Sequence, residues 1–170
     1  MTSRLRLLGF SALIAVSLSA NTAWSIAGVD FPTHNLQEAQ AKVDEGDFPV
    51  ALEMLEELFR FEPQNPEVSN LLGYSLRNLE RFDEAMVSYN RALELEPNHM
   101  GTLEYQGELF LKLNDQPAAD VNLARLKVIC PSGCEAHDVL QAAIERFKDG
   151  EFAWSKKTMS NQAAASSGGQ

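Results

Sequence analysis

Two cysteines and a histidine raise the question of chemistry. In the stretch ICPSGCEAH, Ile129 to His137, Cys130 and Cys134 are the only cysteines of the chain, with three residues between them, and His137 lies three residues after the second. Three chemistries use such a set. A thiol pair can cycle with its disulfide, two thiolates and an imidazole can offer soft ligands to Cu(I), and an oxidised pair can staple two elements together. Haem attachment needs two residues between the cysteines and a histidine directly after them; here there are three, and Glu135 stands in the histidine's place. Thioredoxin-like pairs also have two intervening residues. Cys134 and His137 lie one turn apart if the segment is helical, so the spacing permits a metal. Pro131, Ser132 and Gly133 read as a tight turn, in which Gly133 can take a positive φ, and two thiols flanking such a turn can reach disulfide separation. The compartment decides among these readings, because disulfides persist where conditions are oxidising.

The N-terminus speaks to that compartment. Residues 1–25 carry Arg4 and Arg6, no acid, an apolar run of 14 residues from Leu7 to Ala20, and then the small residues Ala23 and Ser25 before a cleavage point after Ser25. This order is that of a secretory signal peptide, and the run is short of the roughly 20 residues a spanning helix needs. The expectation is an exported, periplasmic protein with no membrane span after cleavage; the alternatives are a secreted protein or one anchored by an uncleaved signal. No cysteine follows the run, which excludes bacterial lipid attachment there. Removing Arg4 and Arg6 takes the formal charge from −10 to −12. Such a chain lacks the clustered cations that nucleic acid or an anionic membrane demands, and suits a partner with basic groups. Residues 155–170 hold almost no large apolar side chain and are expected to be disordered. About 120 residues, Phe31 to Trp154, remain to build one core.

The elements that must position the cysteines come from a repeat. Pro63, Pro97 and Pro131 are spaced by 34, as are Ala51, Ala85 and Ala119, and the small set Ala39, Gly73 and Gly107. Leu55, Tyr89 and Leu123 keep that register, and so do Leu58, Ala92 and Leu126. Five aligned columns define an internal repeat. Each unit reads as two helices. In the middle one, Val68, Leu71, Leu72, Leu76 and Leu79 share one helical face, and Ala85, Met86, Tyr89, Ala92 and Leu93 share another. Asp83 reads as the N-cap of the second helix, and Pro97 ends it. Small residues at Gly73 and Ala85 let the pair approach closely. After the third unit, Val139, Leu140, Ala143, Ile144 and Phe147 mark one face of a further helix that stops near Gly150. A stack of repeats needs a cap at its end, and this helix serves as one; Trp154 could fold back onto it.

The pattern resembles the tetratricopeptide repeat. Gly73, Ala85, Tyr89, Ala92 and Pro97 match the family's small residue, alanine, aromatic, alanine and proline at places 8, 20, 24, 27 and 32 of the unit. The outer units depart from it, with Leu55, Leu58, Leu123 and Leu126 where an aromatic or alanine is usual, and with Asn35, Ser69 and Leu103 where the family has an aromatic. The resemblance implies an all-α fold: an α-solenoid of three helix-turn-helix units, residues 32–65, 66–99 and 100–133, after a short segment 26–31 and before a capping helix within 134–154. It also implies a binding module without catalysis or cofactor, whose first helices line a concave groove for a peptide or protein segment.

The family's groove places fall on Thr33, Leu36, Gln40, Val43 and Asp44; on Glu67, Asn70, Tyr74, Arg77 and Asn78; and on Gly101, Glu104, Glu108, Leu111 and Lys112. Tyr74 with Arg77 reads as the anchor, because Tyr and Arg dominate binding hot spots. Leu36 and Val43 make an apolar end, and Glu104 and Glu108 an acidic one. Some members hold chaperone C-termini through a clamp of Lys, Arg and Asn; Glu104 and Glu108 stand where this chain's third unit would supply cations and would repel a carboxylate. His34 and His99, at unit boundaries, read as solvated turn residues. The competing reading makes Cys130, Cys134 and His137 the working group of a thiol-redox or Cu(I)-handling accessory protein.

Overall fold

The computed structural model describes residues 31–151; the signal segment, Trp154 and the C-terminal tail lie outside the described residues. Seven helices follow one another with no strand among the described residues: α1 Leu36–Glu45, α2 Phe48–Phe61, α3 Pro66–Asn78, α4 Phe82–Leu95, α5 Met100–Lys112, α6 Gln116–Ile129 and α7 Glu135–Lys148. None of them is long and apolar enough to cross a membrane. The first six form three hairpins, α1–α2, α3–α4 and α5–α6, stacked in chain order with α7 against α5 and α6.

The turn within each hairpin is built the same way. Gly46, Glu80 and Asn114, spaced by 34, all take positive φ, of 76°, 62° and 64°. In each the next amide reaches back five residues: Asp47 N–H to Lys42 O, Arg81 N–H to Leu76 O, and Asp115 N–H to Phe110 O. This is the left-handed helix ending in which two amides satisfy the last carbonyls. Glycine adopts it freely, whereas Glu80 adopts a backbone its side chain disfavours. The turns between hairpins also repeat, since Arg91 Nη2 donates to Pro63 O (3.2 Å) and Arg125 Nη2 donates to Pro97 O, each 28 residues back. An arginine of each later hairpin thus satisfies the carbonyl of the proline that ended the previous one.

Helix α4 begins at Phe82, with Arg81 at the cap position and Asp83 and Glu84 inside its first turn. Asp83 is therefore not the N-cap. Phe82 packs against the core and is drawn into the helix, while Arg81 pairs with Glu84 at 2.6 Å.

Small residues set how closely the helices approach. A Cβ added to Gly73 would lie 2.5 Å from the ring of Tyr89, so the tyrosine of α4 lies flat against bare backbone of α3. In the third unit the same place is filled differently. A Cβ on Gly107 would meet Leu140 of α7 at 2.6 Å. Leu140, Ala143 and Ile144 of α7 join Leu103, Leu111, Ala119 and Leu126 in one apolar cluster, while a larger cluster spans α1 to α4 and takes in Tyr105 and Leu109. On its other side α7 presents Glu135, Asp138, Gln141, Glu145, Arg146 and Lys148, all exposed. It closes the stack with an apolar face inward and a charged face outward, as a cap must.

Cys130 is the C-cap of α6 and Cys134 the N-cap of α7, with Gly133 at φ 91° between them. Their sulfurs are bonded. The bond spans four positions of sequence, and a loop so short contributes about 2 kcal/mol in the chain-entropy account. Reduction with dithiothreitol, followed by thermal melting monitored by circular dichroism, should therefore lower the midpoint by several degrees without changing helicity. An unchanged midpoint would show that the bond does not constrain the joint between α6 and α7.

Candidate interaction surface

The odd-numbered helices α1, α3 and α5 carry fourteen of the fifteen positions assigned to the groove, and Thr33 lies just ahead of α1. The structure sorts them into three sets. Thr33, Asp44 and Lys112 are exposed, and Leu36, Gln40, Glu67, Gly101 and Glu108 are partly exposed. The other seven are buried: Val43, Asn70, Tyr74, Arg77, Asn78, Glu104 and Leu111.

That burial changes what several of these residues do. Val43 belongs to the first apolar cluster and Leu111 to the second, so both are core residues. Tyr74 and Arg77, read from the sequence as an open anchor, are 1% and 2% exposed. Arg77 lies 4.8 Å from the centroid of the Tyr74 ring and 5.2 Å from that of Tyr105. Its Nη1 donates to Tyr105 O at 2.9 Å and to Glu108 Oε2 at 3.0 Å. The Tyr74 ring in turn lies 4.7 Å from Tyr105 and 6.1 Å from Phe48. A cation set against two neighbouring aromatic rings is attracted to both, and a guanidinium can donate to a carbonyl and a carboxylate at once. Arg77 therefore ties the second repeat to the third. Burial pushes the phenols of Tyr105 and Tyr89 well up, so both remain neutral near this cation.

Nearer the starts of α3 and α5 the two helices are joined by polar side chains. Asn70 Oδ1 accepts from Thr102 Oγ1 at 3.0 Å, and Asn70 Nδ2 donates to Glu67 Oε1 at 3.2 Å. Glu67 Oε2 lies 2.8 Å from His99 Nε2. Deeper in the molecule Asn122 donates to Leu103 O and to Gln106 Oε1, and Gln106 donates to Asn90 Oδ1. Asn78 Nδ2 donates to Tyr74 O within its own helix. Polar groups at these depths are stabilising only when they find partners; Asn70 with Thr102 and Glu67 with His99 pair across the start of the α3–α5 seam, and Asn122, Gln106 and Asn90 link α6, α5 and α4.

His99 is not a solvated turn residue. It caps α5, with Nδ1 accepting from Thr102 N–H at 3.1 Å, in the place that Asn65 occupies ahead of α3. The sequence signal was its position immediately before the start of α5, but asparagine, aspartate, serine and threonine are the residues that advertise caps. His34 is more open and lies 3.9 Å from both Glu38 and Glu57.

The cysteine group does not assemble as a metal site. The two sulfurs are bonded to each other, and His137 Nδ1 faces Asp138 Oδ1 at 3.0 Å. Among the described residues no three metal-ligating side chains gather. The outer faces of α4 and α6 carry a different feature. Val87, Val121 and Val128 are exposed there, beside a cavity of about 500 Å³ that includes Val87 and another of about 400 Å³ that includes Val121 and Val128.

Repeated helical hairpins in a 34-residue register, closed by a capping helix, define the class: an all-α repeat solenoid. Residues 36–99 match the family profile described as Tetratricopeptide repeat. It is similar to the solved TPR2B-domain:pHsp70 complex of yeast Sti1, at 19% identity and a TM-score of 0.58, covering 67% of this chain and 96% of that one. At that identity the likeness is one of fold. No curated protein matches the sequence.

Proposed function

We propose that this protein is an exported, periplasmic scaffold that holds a protein segment bearing basic groups along the face formed by α1, α3 and α5, and that it acts by binding, without catalysis. The charge of that face carries the reading: Asp44 is exposed on it and Glu67 and Glu108 are partly exposed, while Glu104 is buried beneath it. Arg77 is already engaged with Glu108, and Lys112 is the one other cation among the fifteen groove positions. A partner with lysines or arginines meets complementary charge there, which steers encounter and sets specificity. The similarity to a domain solved in complex with pHsp70 supports a protein segment as the ligand class. The bonded cysteines suit an oxidising compartment, and with both sulfurs engaged in one bond they support a staple over a thiol-redox or Cu(I)-handling role.

A peptide array of basic, neutral and acidic twelve-residue segments, probed with the purified chain, tests this reading. Basic peptides are expected to be retained in preference. Asp44→Lys, an exposed substitution, should weaken them roughly tenfold, equivalent to 1.4 kcal/mol. Raising salt should weaken binding too, since exposed charges are screened. Equal retention of acidic peptides, or indifference to Asp44→Lys, would overturn the charge assignment.

A further inference from the structure

We infer that Glu67, Asn70, Thr102 and His99 form a proton-responsive clasp between the second and third repeats, which fastens α3 to α5 as the surroundings acidify. This inference stands apart from the groove reading, because it concerns how the repeats are joined.

The four side chains close a ring. Glu67 and Asn70 come from the first turns of α3, His99 is the cap of α5, and Thr102 lies in the first turn of α5. The contacts run from His99 Nε2 to Glu67 Oε2 (2.8 Å), from Glu67 Oε1 to Asn70 Nδ2 (3.2 Å), from Asn70 Oδ1 to Thr102 Oγ1 (3.0 Å), and from Thr102 Oγ1 to His99 Nδ1 (2.9 Å). Each protonation state of the imidazole has its own hydrogen-bond pattern here. The neutral ring donates from Nε2 to Glu67 and uses the Nδ1 lone pair to accept Thr102 N–H, which lies 3.1 Å away. The charged ring donates from both nitrogens. Nε2–H keeps Glu67 and becomes one half of an ion pair, and Nδ1–H turns to Thr102 Oγ1, whose own hydrogen is already directed to Asn70. Protonation thus exchanges the cap bond from Thr102 N–H for a bond to Thr102 Oγ1, both local to the start of α5, and makes the Nε2–H to Glu67 bond, which already crosses the repeat boundary, a bond between two opposite charges.

The surroundings favour the charged form. The charged groups that act on His99 are Glu67 from α3 and Glu96 from the α4–α5 turn, both acidic. From α5 itself it meets Thr102 and the backbone at Gly101. The hydrogen bond to Glu67, followed by the charges of Glu67 and Glu96, holds the imidazole above its ordinary value of 6.5 in spite of burial. Burial pushes the Glu67 carboxyl up, but the bonds from His99 and Asn70 outweigh it and hold that group below its usual value, so Glu67 stays ionised while His99 titrates. A base whose folded-state pKa is raised contributes its full stability below the unfolded value, and loses it as pH rises through the folded value. The clasp is therefore tight on the acid side of neutrality and looser on the alkaline side.

The test is an NMR titration of the histidine rings of the full chain, with His34→Gln and His137→Gln to assign the signals, paired with thermal melting from about pH 5.5 to pH 8.5. His99 should titrate above 6.5, and Glu67→Gln should bring its midpoint down. The melting gap between wild type and Glu67→Gln should be widest at the acid end and close as His99 deprotonates. His99→Asn, which keeps a capping oxygen, should melt with that part of the pH dependence gone. A His99 midpoint at or below 6.5 would overturn the inference, and so would a melting gap of constant width, which is what a merely structural contact would give.

Discussion

Arg77→Ala is expected to lower the free energy of unfolding by about 3–5 kcal/mol, the range for removing one member of a buried, hydrogen-bonded charge pair. Three losses combine. The guanidinium no longer satisfies Tyr105 O, Glu108 loses its 3.0 Å partner while only 14% exposed, and the space beside the Tyr74 and Tyr105 rings is emptied. Urea denaturation followed by circular dichroism measures the effect. Arg77→Met, which keeps apolar volume against the rings, should recover part of the loss, because the side chain packs as well as pairs. A cost near that of an exposed salt bridge, below about 1 kcal/mol, would mean that Arg77 is free to meet a partner, as the sequence alone suggests.

Tyr89→Ala is the second large effect, at about 3–5 kcal/mol for a buried aromatic truncated to alanine. Tyr89 is 0% exposed and lies against Gly73, where any Cβ would sit 2.5 Å from its ring. The two positions should therefore be coupled. Gly73→Ala alone is expected to destabilise by roughly 1–3 kcal/mol through overpacking, despite alanine's better helix propensity. In the Tyr89→Ala background the same change has room and should be neutral or stabilising. A double-mutant cycle by urea denaturation reads this coupling; simple additivity would show that Gly73 and Tyr89 do not share one packing site.

Much of this architecture was legible in the sequence because it depends on spacing. The columns of Pro63 and Pro97, of Ala51, Ala85 and Ala119, and of Gly73 and Gly107 give the hairpins, their order and the need for a cap, and α7 presents the expected apolar face. What the spacing could not show is how deep a side chain lies. Tyr74 and Arg77 stand at positions that face the groove in the family. The chain places Tyr105 and Glu108 opposite them, so the arginine is drawn into the seam between α3 and α5. Val43 and Leu111 behave likewise: each is apolar, and burial rewards packing it into the core over leaving it on the face. His99 reads as a solvated turn residue in the sequence because histidine is an uncommon cap and its partner Glu67 is 32 residues away. Asp83 has the residue type of a cap, but the packing of Phe82 extends α4 toward its N-terminus and places Asp83 inside its first turn.

The central claim is that the face of α1, α3 and α5 holds the partner. The most direct measurement is a map of backbone amide shifts as a basic peptide recovered from the array is titrated into the labelled protein. The account predicts that perturbations concentrate at Gln40, Asp44, Glu67, Gly101 and Glu108. Perturbations centred instead on Val87, Val121 and Val128, on the outer faces of α4 and α6, would contradict it.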